Sequence, residues 1–112
     1  MFLSYKKILK YISNEKIEIT PFSEEYLGLM SYEMHLSDKL FKVRPKSKMF
    51  IGGKPKEKDL NPITLTEDCY ILSPKEFIIA KTQEKIFCDE NTMALFDGKP
   101  SLAQIGLHTT NN

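Results

Sequence analysis

The residues with the clearest chemical potential are Lys99, Ser101 and Gln104, in the stretch FDGKPSLAQIGL at 96–107. A turn at Asp97-Gly98 delivers a basic residue, then a hydroxyl, then a short apolar run that stops at Gly106. Helix starts carry unpaired N–H groups and a partial positive charge, so this order of residues suits an anion. Two positions work against it. Pro100 has no backbone N–H, and Gln104 offers a donor without charge. The stretch alone is either an anion loop or a helix start with Ser101 near its first turn.

Other chemistries fit less well. Cys69, Cys88, His35 and His108 are the candidate zinc ligands, and no two have the close spacing of a zinc site. The His-x-Glu plus Pro-Cys-x-x-Cys pattern of zinc deaminases is absent. No zinc is expected. His35 alternates with apolar neighbours and is expected on the surface, and the cysteines are expected to act as small core residues. Asp97-Gly98-Lys99-Pro100-Ser101 lacks the upstream glycine and the Lys-Ser/Thr pair of a P-loop. Ser101 sits in no Gly-x-Ser-x-Gly elbow.

These residues must be held by a small fold. The 112 residues imply one domain. With 41% hydrophobic and 28% charged residues, the composition is that of an ordinary globular chain. A net charge of +1 makes nucleic acid an unexpected partner. Two cysteines without Cys-x-x-Cys point to a reducing, cytoplasmic setting. The lysine-broken start MFLSYKKILKYI is no signal-peptide core, and no run is long enough to span a bilayer.

Ser4 is the expected N-cap of a first helix, with Leu3 stapled on Ile8 and Tyr5, Ile8, Leu9 and Ile12 at helical spacing. Ser13 and Asn14 close it. Ile17 and Ile19 alternate with polar residues, as do Tyr32, Met34 and Leu36, so both segments are predicted strands. Residues 42–58 hold seven basic residues and one acid. They are predicted to form a solvated hairpin or excursion with its tip at Gly52-Gly53 and one aromatic, Phe50. From Pro62, the runs ITLT, CYIL, EFIIAKT, KIF and TMALF favour short strands, with breakers at Ser73-Pro74 and Asp89-Glu90-Asn91. Such spacing suggests a barrel or sandwich. A last helix, PSLAQI, ends at Gly106.

Four segments in order resemble the dCTP deaminase branch of the dUTPase-like superfamily. LSYKKILKYISNEKIEITPF is similar to that family's opening helix, Ile-x-Ile strand and proline. MSYEMHLSD resembles its Ser-Tyr-Asp-Leu-Arg-Leu-Gly strand, with Glu33 for the aspartate and Ser37 for the glycine. ILSPKEFIIAKTQEKI resembles Leu-x-Pro-x-x-Phe-x-Leu-Ala-x-Thr-x-Glu at Leu72, Pro74, Phe77, Ala80, Thr82 and Glu84. GKPSLAQIGL is similar to Gly-Arg-Ser-Ser-Leu-Ala-Arg-Leu-Gly-Leu.

The resemblance implies a mainly β, dUTPase-like (β-clip) barrel with an N-terminal helix. It implies a homotrimer that binds a deoxyribonucleoside triphosphate, dCTP or dUTP, together with Mg²⁺. The implied reaction turns dCTP and water into dUTP and ammonia. Carried over by position, Lys99 stands for the first loop arginine, Pro100 for the first serine and Gln104 for the second arginine, while Ser101 is retained. Lys99, Ser101 and Gln104 are therefore the implied nucleotide contacts, without the arginine fork. The family's later strands, with the catalytic glutamate, have no match in 1–112, so the single domain is expected to be incomplete at its C-terminus and impaired. No catalytic residue is assigned. Glu33 and Glu84 do not match the catalytic glutamate and are expected to be strand-surface or structural. The alternative is a non-catalytic relative that binds a nucleotide or a protein partner.

Overall fold

Helix α1 spans Tyr5–Ser13 and begins at the expected place, with Ser4 extended (φ −73°, ψ 165°) in the N-cap position. The Ser4 hydroxyl makes no capping hydrogen bond. The structure is a computed structural model, and it describes residues 1–44 and 59–110. The end of α1 is tied off by two reversed bonds. Lys16 N–H donates to the Tyr11 carbonyl at 2.9 Å, and Glu15 N–H to that of Ile12 at 3.1 Å. This Schellman closure needs a left-handed residue, and Glu15 takes φ 59° to supply it.

The helix turns its apolar side, with Ile8 buried, onto strand β1 (Ile17–Thr20). There the predicted alternation holds: Ile17 and Ile19 are buried, Glu18 and Thr20 exposed. β1 pairs antiparallel with β5 (Lys85–Cys88), matching Ile17 with Cys88 and Ile19 with Ile86. A second sheet has β2 (Leu36–Val43) at its centre, between β3 (Leu60–Pro62) and β4 (Ile79–Thr82). Both pairings are antiparallel. The β2–β4 ladder slips between Leu36 and Leu40, a bulge that bends the long strand. Among the described residues the buried apolar ones are Ile8, Ile17, Ile19, Leu27 and Leu40.

The fold is thus mainly β with an N-terminal helix, as predicted. The two sheets are not closed on each other among the described residues. They are joined by the two-residue link Gln83–Glu84 between β4 and β5, and this link places Glu84 at the junction of the sheets.

Several predicted strands are corrected. The strand predicted from Tyr32 begins at Leu36; Tyr32 makes only an isolated bridge to Leu27. ITLT and CYIL form no ladder beyond a Thr66–Cys69 bridge, around a turn in which Glu67 and Asp68 both take positive φ. TMALF forms no strand among the described residues, and Met93 and Leu95 stand 78% and 71% exposed. β-Branched and aromatic residues stabilise a strand only when a neighbour strand receives them, and among the described residues no ladder takes up these runs. The breakers at Ser73-Pro74 and Asp89–Asn91 are turns as predicted. Arg44 N–H donates to the Asp59 carbonyl at 2.8 Å, continuing the β2–β3 pairing. The predicted tip at Gly52-Gly53 and Phe50 lie outside the described residues. No helix among the described residues is long and apolar enough to cross a membrane.

Candidate functional site

The FDGKPSLAQIGL stretch folds as a short helix, α2, spanning Pro100–Gln104. Lys99 is its N-cap, extended at φ −67° and ψ 127°, and its carbonyl accepts from Leu102 (3.0 Å) and Ala103 (3.2 Å). Pro100 occupies the first helical position, where its missing N–H costs the helix nothing. That same N–H is one an anion would otherwise have used. The helix closes as α1 does: Leu107 N–H donates to the Leu102 carbonyl and Gly106 N–H to that of Ala103, both at 3.0 Å. Gly106 takes φ 88°, and a side chain there would meet nothing within 4 Å. It is a glycine for its backbone angle, as the sequence predicted. At Gly98 the reason is space, since a Cβ would come 2.6 Å from the Thr109 hydroxyl.

Lys99, Ser101 and Gln104 are all exposed. Ser101 and Gln104 are three apart on α2, hence neighbours on one face, with Lys99 just ahead of them. The three candidate contacts therefore share one short segment. Lys99 already has a partner. Its ammonium lies 2.6 Å from Glu33 Oε1, with both side chains about half exposed (53% and 52%). This hydrogen bond holds the Glu33 carboxyl below its ordinary range. Glu33 is itself fixed at the backbone, where its N–H donates to the Tyr26 carbonyl at 2.8 Å. The expected surface position of Glu33 holds; its contact with Lys99 was not legible in the sequence.

Next to Glu33 the expectation for His35 fails. His35 is half-buried, and its ring Nδ1 lies 2.6 Å from Glu84 Oε1. Its backbone N–H donates to Glu84 Oε2 at 2.9 Å. The alternation that put His35 outside applies to strands, and β2 begins one residue later. Glu84 is 5% exposed, the buried charged residue among those described, and so does not lie on a strand surface. Burial pushes its carboxyl up, but the His35 N–H, the His35 ring and its own backbone N–H together hold it below the ordinary value. An ionised Glu84 can only accept, so Nδ1 carries the proton and Nε2 is left as the second polar atom of the ring.

Around this pair lies a cleft of about 150 Å³, lined by Pro21, Phe22, Ser23, Tyr26, Tyr32, His35, Gln83 and Glu84. Tyr26 packs edge-on to the His35 ring at 4.3 Å, and Phe22 stacks on Tyr32 at 5.5 Å. Ser23 N–H donates to the Tyr32 hydroxyl at 3.0 Å. Gln83 bonds the start of β2 and the residue before it, through its amide to the Leu36 carbonyl (2.9 Å) and its N–H to that of His35 (2.8 Å). The cleft walls are thus mutually bonded and hold residues 33–35 against the β4–β5 link.

The remaining candidates do not converge. Cys69 is exposed on its turn, against the core position expected, while Cys88 is half-buried beside Ile17. His108 is exposed. Among the described residues no three His, Cys, Asp or Glu side chains gather where they could hold a metal ion.

Comparison with known proteins bears on this site. A model of the family described as dCTP deaminase-like matches residues 2–111. A protein named dCTP deaminase, dUMP-forming, from Hydrogenobaculum sp. (strain Y04AAS1) is 34% identical over 112 residues, covering 99% of this chain and 60% of the relative. Proteins of the same name from Sulfurihydrogenibium sp. (strain YO3AOP1) and Corynebacterium glutamicum (strain R) are 30% and 32% identical. They are covered over 62% and 59% of their lengths, and they cover 99% and 97% of this chain. The chain thus spans about three-fifths of the length of these curated relatives.

Proposed function

Because the chain belongs to the dCTP deaminase-like family, we propose that it binds a deoxycytidine nucleotide and serves in its deamination. Lys99, Ser101 and Gln104 are the proposed triphosphate contacts. The observation that carries this is the α2 segment: a lysine at the N-cap, Ser101 and Gln104 on one exposed face, and a glycine-closed end. Lysine contributes a point charge, while serine and glutamine contribute neutral donors. Deamination replaces the C4 amino group of cytosine with oxygen from water and releases ammonia, giving dUTP. The relatives carry the name dUMP-forming, which favours a second hydrolysis, releasing pyrophosphate and leaving dUMP. No residue of this chain is proposed as the general base.

Mg²⁺ is proposed to arrive on the triphosphate, held by its oxygens, because the described carboxylates do not converge around a metal position. The family resemblance supports a homotrimer in the cytoplasm. Large exposed apolar side chains, Met93 and Ile105 among them, support burial against further copies.

The second reading is a nucleotide-binding relative without turnover. What favours it is that Lys99 is already neutralised by Glu33 and that Pro100 donates nothing. A thermal-shift panel of dCTP, dUTP and dTTP with magnesium, run beside ammonia release and nucleotide product analysis, separates the two. Stabilisation with ammonia and dUMP or dUTP supports the first. Stabilisation without ammonia supports the second. Absence of any shift overturns both.

A further inference from the structure

Glu33 is an unassigned acid placed on the residue that matters most for anion binding. Its Oε1 sits 2.6 Å from the Lys99 ammonium. Its backbone is bonded to Tyr26, and His35, two residues on, is clamped by the buried Glu84. The carboxylate is therefore delivered to Lys99 from a fixed segment that lies 66 residues away in sequence. A carboxylate and a phosphate oxygen are both anionic acceptors for the same ammonium. Two anions at one ammonium repel, so a ligand phosphate must displace Glu33 or share Lys99 at a cost in affinity.

We infer that Glu33 is an internal competitor for phosphate at Lys99 and so sets the affinity of this subsite. The inference rests on the proposed role of Lys99 as a phosphate contact and adds a second residue to it. Glu33 is a positioning residue: it holds the ammonium in place before the ligand arrives and yields it when the ligand binds. The pair is solvent-exposed, so the competition is modest. An exposed ion pair is worth a factor of about two to five in an equilibrium, and that is the expected gain in phosphate affinity when Glu33 loses its charge.

The probe is sodium tripolyphosphate, titrated calorimetrically into the wild-type protein, Glu33→Gln, Lys99→Met and the double variant. The Glu33 carboxyl is followed by carbon NMR in the wild type. The expected result is binding about two- to fivefold tighter in Glu33→Gln, with no such gain in the Lys99→Met background. The wild-type Glu33 signal should also move toward that of an unpaired carboxylate as tripolyphosphate is added. If tripolyphosphate binds the wild type but Glu33→Gln binds no tighter, or the Glu33 signal stays still, the competitor role is overturned and the phosphate role of Lys99 stands. If tripolyphosphate binds neither the wild type nor Glu33→Gln, the phosphate role of Lys99 falls, and the competitor role with it.

Discussion

Glu84 holds His35 by two bonds, one from the backbone N–H at 2.9 Å and one from ring Nδ1 at 2.6 Å. The two residues are 49 apart in the chain, and each sits at the mouth of a strand: His35 before β2, Glu84 before β5. The contact thus joins the two sheets through side-chain chemistry where no ladder joins them. It also fixes residue 33, and through it the carboxylate that reaches Lys99.

Removing this clamp should destabilise the whole domain. Glu84→Ala leaves the His35 N–H without its acceptor in a buried place, at a cost of about 1–3 kcal/mol. Glu84→Gln keeps one oxygen for the His35 N–H and lets the neutral ring take the tautomer in which Nδ1 accepts from the amide, so it should lose less stability than Glu84→Ala. Urea unfolding of both variants checks this, and a loss below about 0.5 kcal/mol in Glu84→Ala would contradict the clamp.

The same pair should shape the acid limb of stability. The Glu84 carboxyl is held below its ordinary 4.5 in the fold. A depressed carboxyl stabilises above its unfolded value and loses that contribution as pH falls through the folded one. Glu84→Gln should therefore flatten the fall in melting temperature below about pH 4.5, relative to wild type, across a pH series of thermal melts.

Another depressed carboxyl, Glu76, lies in the turn ahead of β4. Lys42 on β2 is 2.7 Å from Glu76, Tyr70 donates to the same oxygen, and Ser73 N–H donates to the other at 2.8 Å. These donors, Lys42 first, bring Glu76 down to about 2. Its contribution should be complete above about 4.5, decline as pH falls further, and be gone once pH passes through about 2. Carbon NMR of the Glu76 carboxyl should show a midpoint near 2, moved upward in Lys42→Met.

Local signals were read correctly where the chain itself satisfies them. The α1 boundaries, the Ile17/Ile19 face and the Gly106 stop depend on neighbours within a few residues, and all three hold. The four motif segments also carried the family. The failures are non-local. TMALF has strand residues but joins no ladder among the described residues, and ladder pairing is set by segments far away in the sequence. His35 was placed by alternation, whereas its surroundings come from Glu84, delivered by a two-residue link between sheets. The sequence marks Lys99 as a candidate anion contact, and its ion pair with Glu33 depends on how 31–35 folds against α2.

The strained cap of α1 offers a stabilising change. Glu15 holds φ 59° to complete the Schellman closure. Left-handed backbone costs a side-chain-bearing residue about 1–2 kcal/mol, part of which glycine gives back through its freedom when unfolded. Glu15→Gly should therefore raise stability by about 0.5–1 kcal/mol. A matched urea series detects this, and a loss of stability would show that the Glu15 side chain contributes more than its backbone angle costs.

The α2 face invites the converse experiment, strengthening what the sequence left weak. Gln104 shares an exposed face with Ser101 and follows Lys99 by five positions. An arginine in its place would add a delocalised charge and a planar fork that matches two phosphate oxygens at once. A charge-assisted hydrogen bond gained at an exposed site corresponds to about tenfold in affinity. Gln104→Arg should therefore bind dCTP about tenfold more tightly than wild type, and Lys99→Met about tenfold less, by calorimetry in magnesium buffer. Raising salt should erode the gain, because the added term is largely Coulombic. If Gln104→Arg leaves dCTP affinity unchanged while Lys99→Met abolishes it, the ligand's phosphates approach Lys99 from the Glu33 side, and the Ser101–Gln104 face is not the floor of the site.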